Sequence, residues 1–272
     1  MGNNSECVDK QKYWELADLI KRRLFGRIRD YLQENPAIDL SSDYYQFEEN
    51  RKKIKEELHE SVLKEWNLIK QQYRGNPAAD WNRLKGFLYE ALFYVACIDL
   101  CSFYFATDIV WMQTKAFEAP PHFEVLPLFG IIPPIRYVFE KAKEPSPVPQ
   151  LEADFLILYV EGEAGRRRAY PVTFVDVKSS KKVHEWKKEK GIRQAIAALR
   201  HGCAMQLAYP LKDIEELKSL KDWETKTICP SCGNLLDNIP AICPYCKKEA
   251  YPFFRENWKV LWNSYIDGRR RI

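Results

Sequence analysis

The chain has almost no net charge to advertise a partner. Its 42 Lys and Arg against 38 Asp and Glu leave a formal +4 over 272 residues, so bulk electrostatics does not mark it as a nucleic-acid binder. It lacks an apolar leader, because Met1-Gly2-Asn3-Asn4-Ser5-Glu6 is polar and offers no secretory core segment. Gly2 followed by Ser5 departs from myristoylation spacing. A bilayer span is missing too. The most apolar stretch, Phe87 to Met112, is interrupted by Glu90, Asp99 and Asp108, each costly in hydrocarbon, so a buried helix leading into a strand is expected there. No internal repeat or low-complexity tract stands out. His59, His122, His184 and His201 show no ligand spacing. These absences predict a cytoplasmic protein without membrane contact, in a reducing compartment where paired cysteines serve metals rather than disulfides.

What is present is an ordinary globular composition, 46% hydrophobic and 29% charged. Basic residues crowd locally at Lys21–Arg27, Lys178–Arg193 and Arg269–Arg271; such patches can track phosphates, or be solvated helix faces balanced by neighbouring acids. Helix-period apolar stripes predict helices over Tyr13–Gln33 and Tyr44–Tyr73, and Asp80 is placed to cap a third running from Trp81 to about Phe103. Prolines make Glu118–Ile135 irregular or short-stranded. Ala153–Val160 and Tyr170–Lys178 read as strands covered on both faces. A basic helix over Lys182–Arg200 ending at Gly202, a strand over Cys203–Tyr209 and a polar helix over Leu211–Leu220 follow. The expectation is an α/β protein in three segments: a helical region 1–78, a core 79–222, and a cysteine module with a C-terminal helix over 223–272.

The two strands can be aligned by arithmetic. Paired residues of an antiparallel hairpin have a constant index sum; Asp154 and Asp176 sum to 330, centring the turn on Gly165. The two aspartates then face each other at roughly 5 Å between Cβ atoms. Lys178 lies two residues on, pointing to the same side. Carboxylates so close repel and lose hydration unless a cation joins them, and magnesium or manganese suits carboxylate oxygens.

These residues resemble the PD-(D/E)XK nuclease superfamily. Asp154 in L-E-A-D-F stands at the start of one strand, and Asp176-Val177-Lys178 in F-V-D-V-K-S-S ends the next. Glu90 in K-G-F-L-Y-E fits the acid of the upstream helix, and Gln194 in G-I-R-Q-A-I fits a polar residue of the helix after the triplet. Ala153 replaces the proline of the pattern, and Gln194 lacks the tyrosine of recombinase-type exonucleases. The resemblance spans about residues 80–210. It implies a restriction-endonuclease-like core with a central mixed sheet flanked by helices. It also implies Glu90, Asp154 and Asp176 as magnesium ligands, with Glu90, Asp154, Asp176, Lys178 and Gln194 as catalytic residues. The implied activity is phosphodiester hydrolysis, with DNA as the expected substrate, and the resemblance allows a homodimer. The alternative is an inactive nucleic-acid-binding module on the same fold.

Cys229-Pro-Ser-Cys232 and Cys243-Pro-Tyr-Cys246 are two knuckles ten residues apart. Each sets two thiolates on one tight turn, and two facing knuckles complete a tetrahedron; the segment resembles a zinc ribbon. A closed four-thiolate site leaves no open coordination position, so the zinc is expected to be structural. A rubredoxin-like iron site is the chemical alternative. Cys97, Cys101 and Cys203 sit in apolar runs and read as buried small hydrophobes.

Overall fold

Leu16, Ile20, Leu24 and Ile28 recur at four-residue steps, and in the structure they form the buried stripe of a long N-terminal helix. In this computed structural model, which describes residues 4–34, 44–97, 122–128, 153–161, 168–180 and 188–252, that helix is α1 (Asn4–Glu34). It packs with α2 (Tyr44–Gln72) and α3 (Trp81–Ala96). Asp80 caps α3 as expected, its carboxylate accepting from the Arg83 N–H. The described part of α3 ends at Ala96; the remainder of the run to Phe103 lies outside the described residues, as do Cys101, His184, Arg269–Arg271 and the C-terminal helix.

A six-stranded mixed sheet follows, in spatial order β1 (His122–Pro127), β2 (Phe155–Glu161), β3 (Arg168–Val177), β4 (Ala204–Pro210), β5 (Trp223–Ile228) and β6 (Leu235–Leu236). β1, β2 and β3 are antiparallel neighbours, β3 and β4 are parallel, and β5 and β6 continue antiparallel. The parallel step is bridged by α4 (Lys188–Arg200). Gly202 ends α4 at φ +70°, while Cys203 and Gly202 donate backward to Ala198 and Leu199 at 3.0 and 2.9 Å. That six-to-one and five-to-two pairing is a Schellman cap, and glycine is the residue that adopts its left-handed position freely.

The β2–β3 register keeps the index sum of 330 at the end nearer the aspartates, with Phe155 opposite Val175 and Ile157 opposite Thr173. A bulge between Ile157 and Leu158 then moves the sum to 329, with Leu158 opposite Pro171. Pro171 explains the break, since it cannot donate to a ladder. It is tolerated because β4 pairs with β3 only from Thr173 onward.

The core lies on both faces of the sheet. On one, α1–α3 cover Phe155, Ile157, Tyr159 and Val175. On the other, Ala195 and Ala198 of α4 pack on Leu156, Leu158, Phe174 and Met205. Alternating side chains of β2 thus divide between the two layers, as a doubly covered strand requires. The segments 1–78, 79–222 and 223–272 share this core: Leu16, Phe93 and Trp223 belong to one hydrophobic cluster, along with Tyr251. Trp223–Ile228, grouped by sequence with the cysteine module, is a strand of the main sheet.

The polar helix expected over Leu211–Leu220 does not form. Two short 3-10 turns, Ile214–Glu216 and Leu220–Asp222, stand there instead. The buried Asp222 carboxylate accepts from the N–H groups of Lys218 and Ser219 at 3.1 and 2.9 Å, offering the backbone partners that a helix would have supplied. Among the described residues, no helix is long and apolar enough to cross a membrane.

Candidate metal centres

From Leu88 to Cys97 the third helix is buried without a break, and Glu90 is the one charged residue in that run, 8% exposed. A lone carboxylate in such a position needs compensation. It receives it from Lys21 of α1, whose Nζ lies 3.0 Å from Glu90 Oε2 and 5.1 Å from the centroid of the Phe87 ring.

Asp154 approaches from the sheet. Its N–H donates to Val175 O at 2.8 Å, its Oδ2 accepts from the Val177 N–H at 2.8 Å, and its carbonyl takes the Leu128 N–H at 2.9 Å. The Asp154 backbone is therefore tied to both neighbouring chain segments at the mouth of the hairpin. Behind it, Phe155 is wedged against Phe93 and Tyr94 of α3, with ring centroids 5.5 and 5.7 Å away. This aromatic cluster holds α3 and β2 together beside the two acids. Asp176, the next-to-last residue of β3, pairs with the Lys178 ammonium group. Lys178 is fixed in turn through its N–H to Ala208 O of β4, at 2.8 Å.

The neighbouring charges alter the ionisation of Glu90 and Asp154. Burial raises the affinity of Glu90 for a proton; Lys21 opposes it, Asp176 adds to it and Lys178 opposes it. Burial pushes Asp154 well above the ordinary carboxyl range, reinforced by Glu90 and then Asp176 and countered by the Val177 N–H and by Lys21. Asp176 and Lys178 keep 24% and 35% of their side-chain surface exposed, so the cluster is open on their side and closed on that of Glu90. The structure thus brings Glu90, Asp154, Asp176 and Lys178 together, and adds Lys21, which the sequence shows only as part of a basic patch. Gln194 is buried on α4 together with Gly191, Ala195 and Ala198.

The cysteine site is more sharply formed. The sulfurs of Cys229, Cys232, Cys243 and Cys246 all lie within 4.8 Å of one another. Cys229 to Cys246 and Cys232 to Cys243 are each 3.8 Å. Four sulfurs about 2.3 Å from a central zinc form a tetrahedron with edges of about 3.8 Å, so the thiolates fit a metal ion such as zinc. Among the described residues, no other group of three or more His, Cys, Asp or Glu converges this closely.

The two knuckles are built alike. Gly233 donates to Cys229 O at 2.9 Å and Lys247 to Cys243 O at 3.0 Å, four residues after the first cysteine of each knuckle. Both adopt left-handed backbone, at φ +68° and +61°. Burial raises the Cys243 thiol, but the N–H groups of Cys246 and Tyr245, with the neighbouring thiols, outweigh it and bring Cys243 down to about 7, favouring the thiolate that a metal requires. Burial raises Cys232 and pushes Cys229 up to about 12, so the low value belongs to Cys243 alone of these three. Cys203 is likewise pushed up to about 12, and Cys97 and Cys203 are core residues at 0% exposure. His59, also buried, contacts Ile214 O through Nε2 at 3.0 Å, and burial lowers its affinity for a proton.

The first knuckle leans on α4. A Cβ at Gly233 would stand 3.1 Å from Ile192 Cγ1 and 3.2 Å from the Lys188 backbone oxygen, while Lys188 Nζ donates to Asn234 Oδ1 at 2.9 Å. Tyr251, fully buried, donates its hydroxyl to Ile228 O.

No protein-family model, curated protein or solved structure matches this chain. What the structure defines is an α/β protein with a mixed sheet and a four-cysteine cluster able to hold a metal ion.

Proposed function

We propose that the protein is a metal-dependent nuclease of the restriction-endonuclease-like type that hydrolyses phosphodiester bonds in DNA. The observation that carries this reading is the meeting, at one end of the sheet, of Glu90 from α3, Asp154 beside β2 and Asp176-x-Lys178 at the end of β3. A helix bearing an acid, an acidic residue at the start of one strand, an acid-x-Lys triplet ending the next and a following helix is the order that the resemblance to the PD-(D/E)XK superfamily implies.

The donor set fits a hard divalent cation. Three carboxylates, two of them driven by burial toward protonation, are stabilised by a positive charge, and magnesium accepts oxygen ligands together with water. The carboxylate oxygens are not gathered as tightly as the four sulfurs. When bound, such an ion supplies Lewis acidity toward a phosphate oxygen and a more acidic water. The chain's own groups do the rest. Asp154 is oriented by the Val177 N–H, Asp176 and Lys178 face the open side where a phosphate can enter, and the Lys178 ammonium group provides positive charge for negative charge developing on phosphorus-bound oxygen. The four-cysteine metal has no open coordination position and serves the structure.

Lys178→Ala is the direct test. Divalent-dependent cleavage of supercoiled, linear and single-stranded DNA should fall by about 10²-fold or more, with folding and DNA binding retained. Normal cleavage by this variant would refute the assignment of the triplet. A folded wild type that binds DNA without cutting it would instead favour an inactive binding module.

A further inference from the structure

Lys21 lies outside the acid-x-lysine pattern, 69 positions before Glu90, and reaches the cluster only because α1 packs on α3. Its placement is well defined. Nζ makes the 3.0 Å ion pair with Glu90 Oε2, the Phe87 ring lies beneath it, and its side chain is 21% exposed against 11% for Glu90. Its charge also reaches Asp154, where it opposes the effects of Glu90 and Asp176. Around Glu90 stand Lys21 from α1, Asp154 before β2, and Asp176 and Lys178 from the end of β3. With all groups ionised, three carboxylates face two ammonium groups, one at the open side on Asp176 and one at the closed side on Glu90.

We propose that Lys21 is the resident counter-ion of the carboxylate cluster, a positioning residue that holds Glu90 in place and competes with the divalent cation for it. The inference rests on the nuclease reading for the identity of that cation. An ammonium group paired with the innermost carboxylate neutralises part of the negative charge that attracts a metal, so it raises the concentration of metal needed to fill the site. It also keeps the empty cluster from repelling itself apart. Lysine suits this role, since a compact point charge on a flexible stem can swing off the carboxylate when a metal arrives.

The test is manganese binding to the zinc-loaded 272-residue chain at pH 8, counted by loss of the free-manganese paramagnetic resonance signal. It compares wild type with Lys21→Met, Lys21→Gln and Lys21→Arg. Lys21→Gln keeps a hydrogen-bond donor toward Glu90 should the methionine variant fold poorly. Removing the charge is expected to tighten manganese binding at least about tenfold and to enlarge the rise in melting temperature that manganese produces, whereas Lys21→Arg stays near wild type. A merely structural lysine would lower the melting temperature without tightening the metal. Unchanged or weaker binding in the neutral variants, with wild-type binding still weakened by Asp176→Asn, would overturn the role of Lys21 and leave the nuclease reading standing. Wild-type binding that is absent, or indifferent to Asp176→Asn, would remove the metal site itself, and the nuclease reading with it.

Discussion

Burial, and after it the neighbouring Glu90 and Asp176 carboxylates, make Asp154 bind a proton more readily in the folded chain than in the unfolded one. The folded state therefore holds more protons between the ordinary value of 3.8 and the raised one. The stabilisation from this group is complete below 3.8 and is lost as pH rises through the folded value. Above 3.8 and without metal, the cost of ionising Asp154 in its buried place works against folding. Asp154→Asn, whose amide oxygen can still accept from Val177, is expected to stabilise the metal-free protein by about 0.5–2 kcal/mol at pH 7 and to matter little at acid pH. Urea denaturation in EDTA at both pH values checks this; a variant weaker than wild type at pH 7 would show that the carboxylate charge is compensated internally. The register beside Asp154 and Asp176 was legible in the sequence because strand pairing is arithmetic, and Phe155–Ile157 keep the index sum of 330; the bulge that moves the turn side of the hairpin to 329 was not. Glu90 was legible as a single acid in an apolar helix. Lys21 was not, since its partner is set by helix packing across 69 residues, for which the local pattern carries no signal.

Among the elements, the two knuckles and α4 form one mechanical unit, because the left-handed turn at Gly233 sits directly against Lys188 and Ile192. Metal removal by chelation, or Cys232→Ser, is expected to cost at least about 3 kcal/mol, roughly 10 °C in melting temperature for a chain of this size. Hydrogen exchange should rise at Leu235–Leu236 and in the first turns of α4, while Leu84–Ala96 stays protected. Uniform protection after metal loss would show that the knuckles do not brace the helix. The cysteine spacing announced this unit plainly. The strand Trp223–Ile228 beside it was missed, although Trp223, Thr225 and Thr227 alternate with Glu224 and Lys226, because the neighbouring cysteines drew the boundary instead. Over Leu211–Leu220 the polar pattern suggested a helix, but Asp222 captured the backbone N–H groups from outside that window.

For the molecule as a whole, helices α1–α3 on one face of the sheet and α4 on the other squeeze the carboxylate cluster to the sheet's end. The same fold brings Lys21 from the first segment and the cysteine module from the last into contact with the core between them. Sequence periodicity supplied the layers, whereas the sharing of one core by all three segments depends on long-range packing that periodicity does not encode. The most direct measurement is the rate of DNA hydrolysis by zinc-loaded wild type and Asp176→Ala, each with magnesium and with EDTA. Magnesium-dependent cutting by wild type, reduced by at least about 10²-fold in an Asp176→Ala protein that still folds and retains its zinc, is the expected result. Equal cutting by both proteins, or cutting indifferent to EDTA, would contradict a nuclease centre built on these carboxylates.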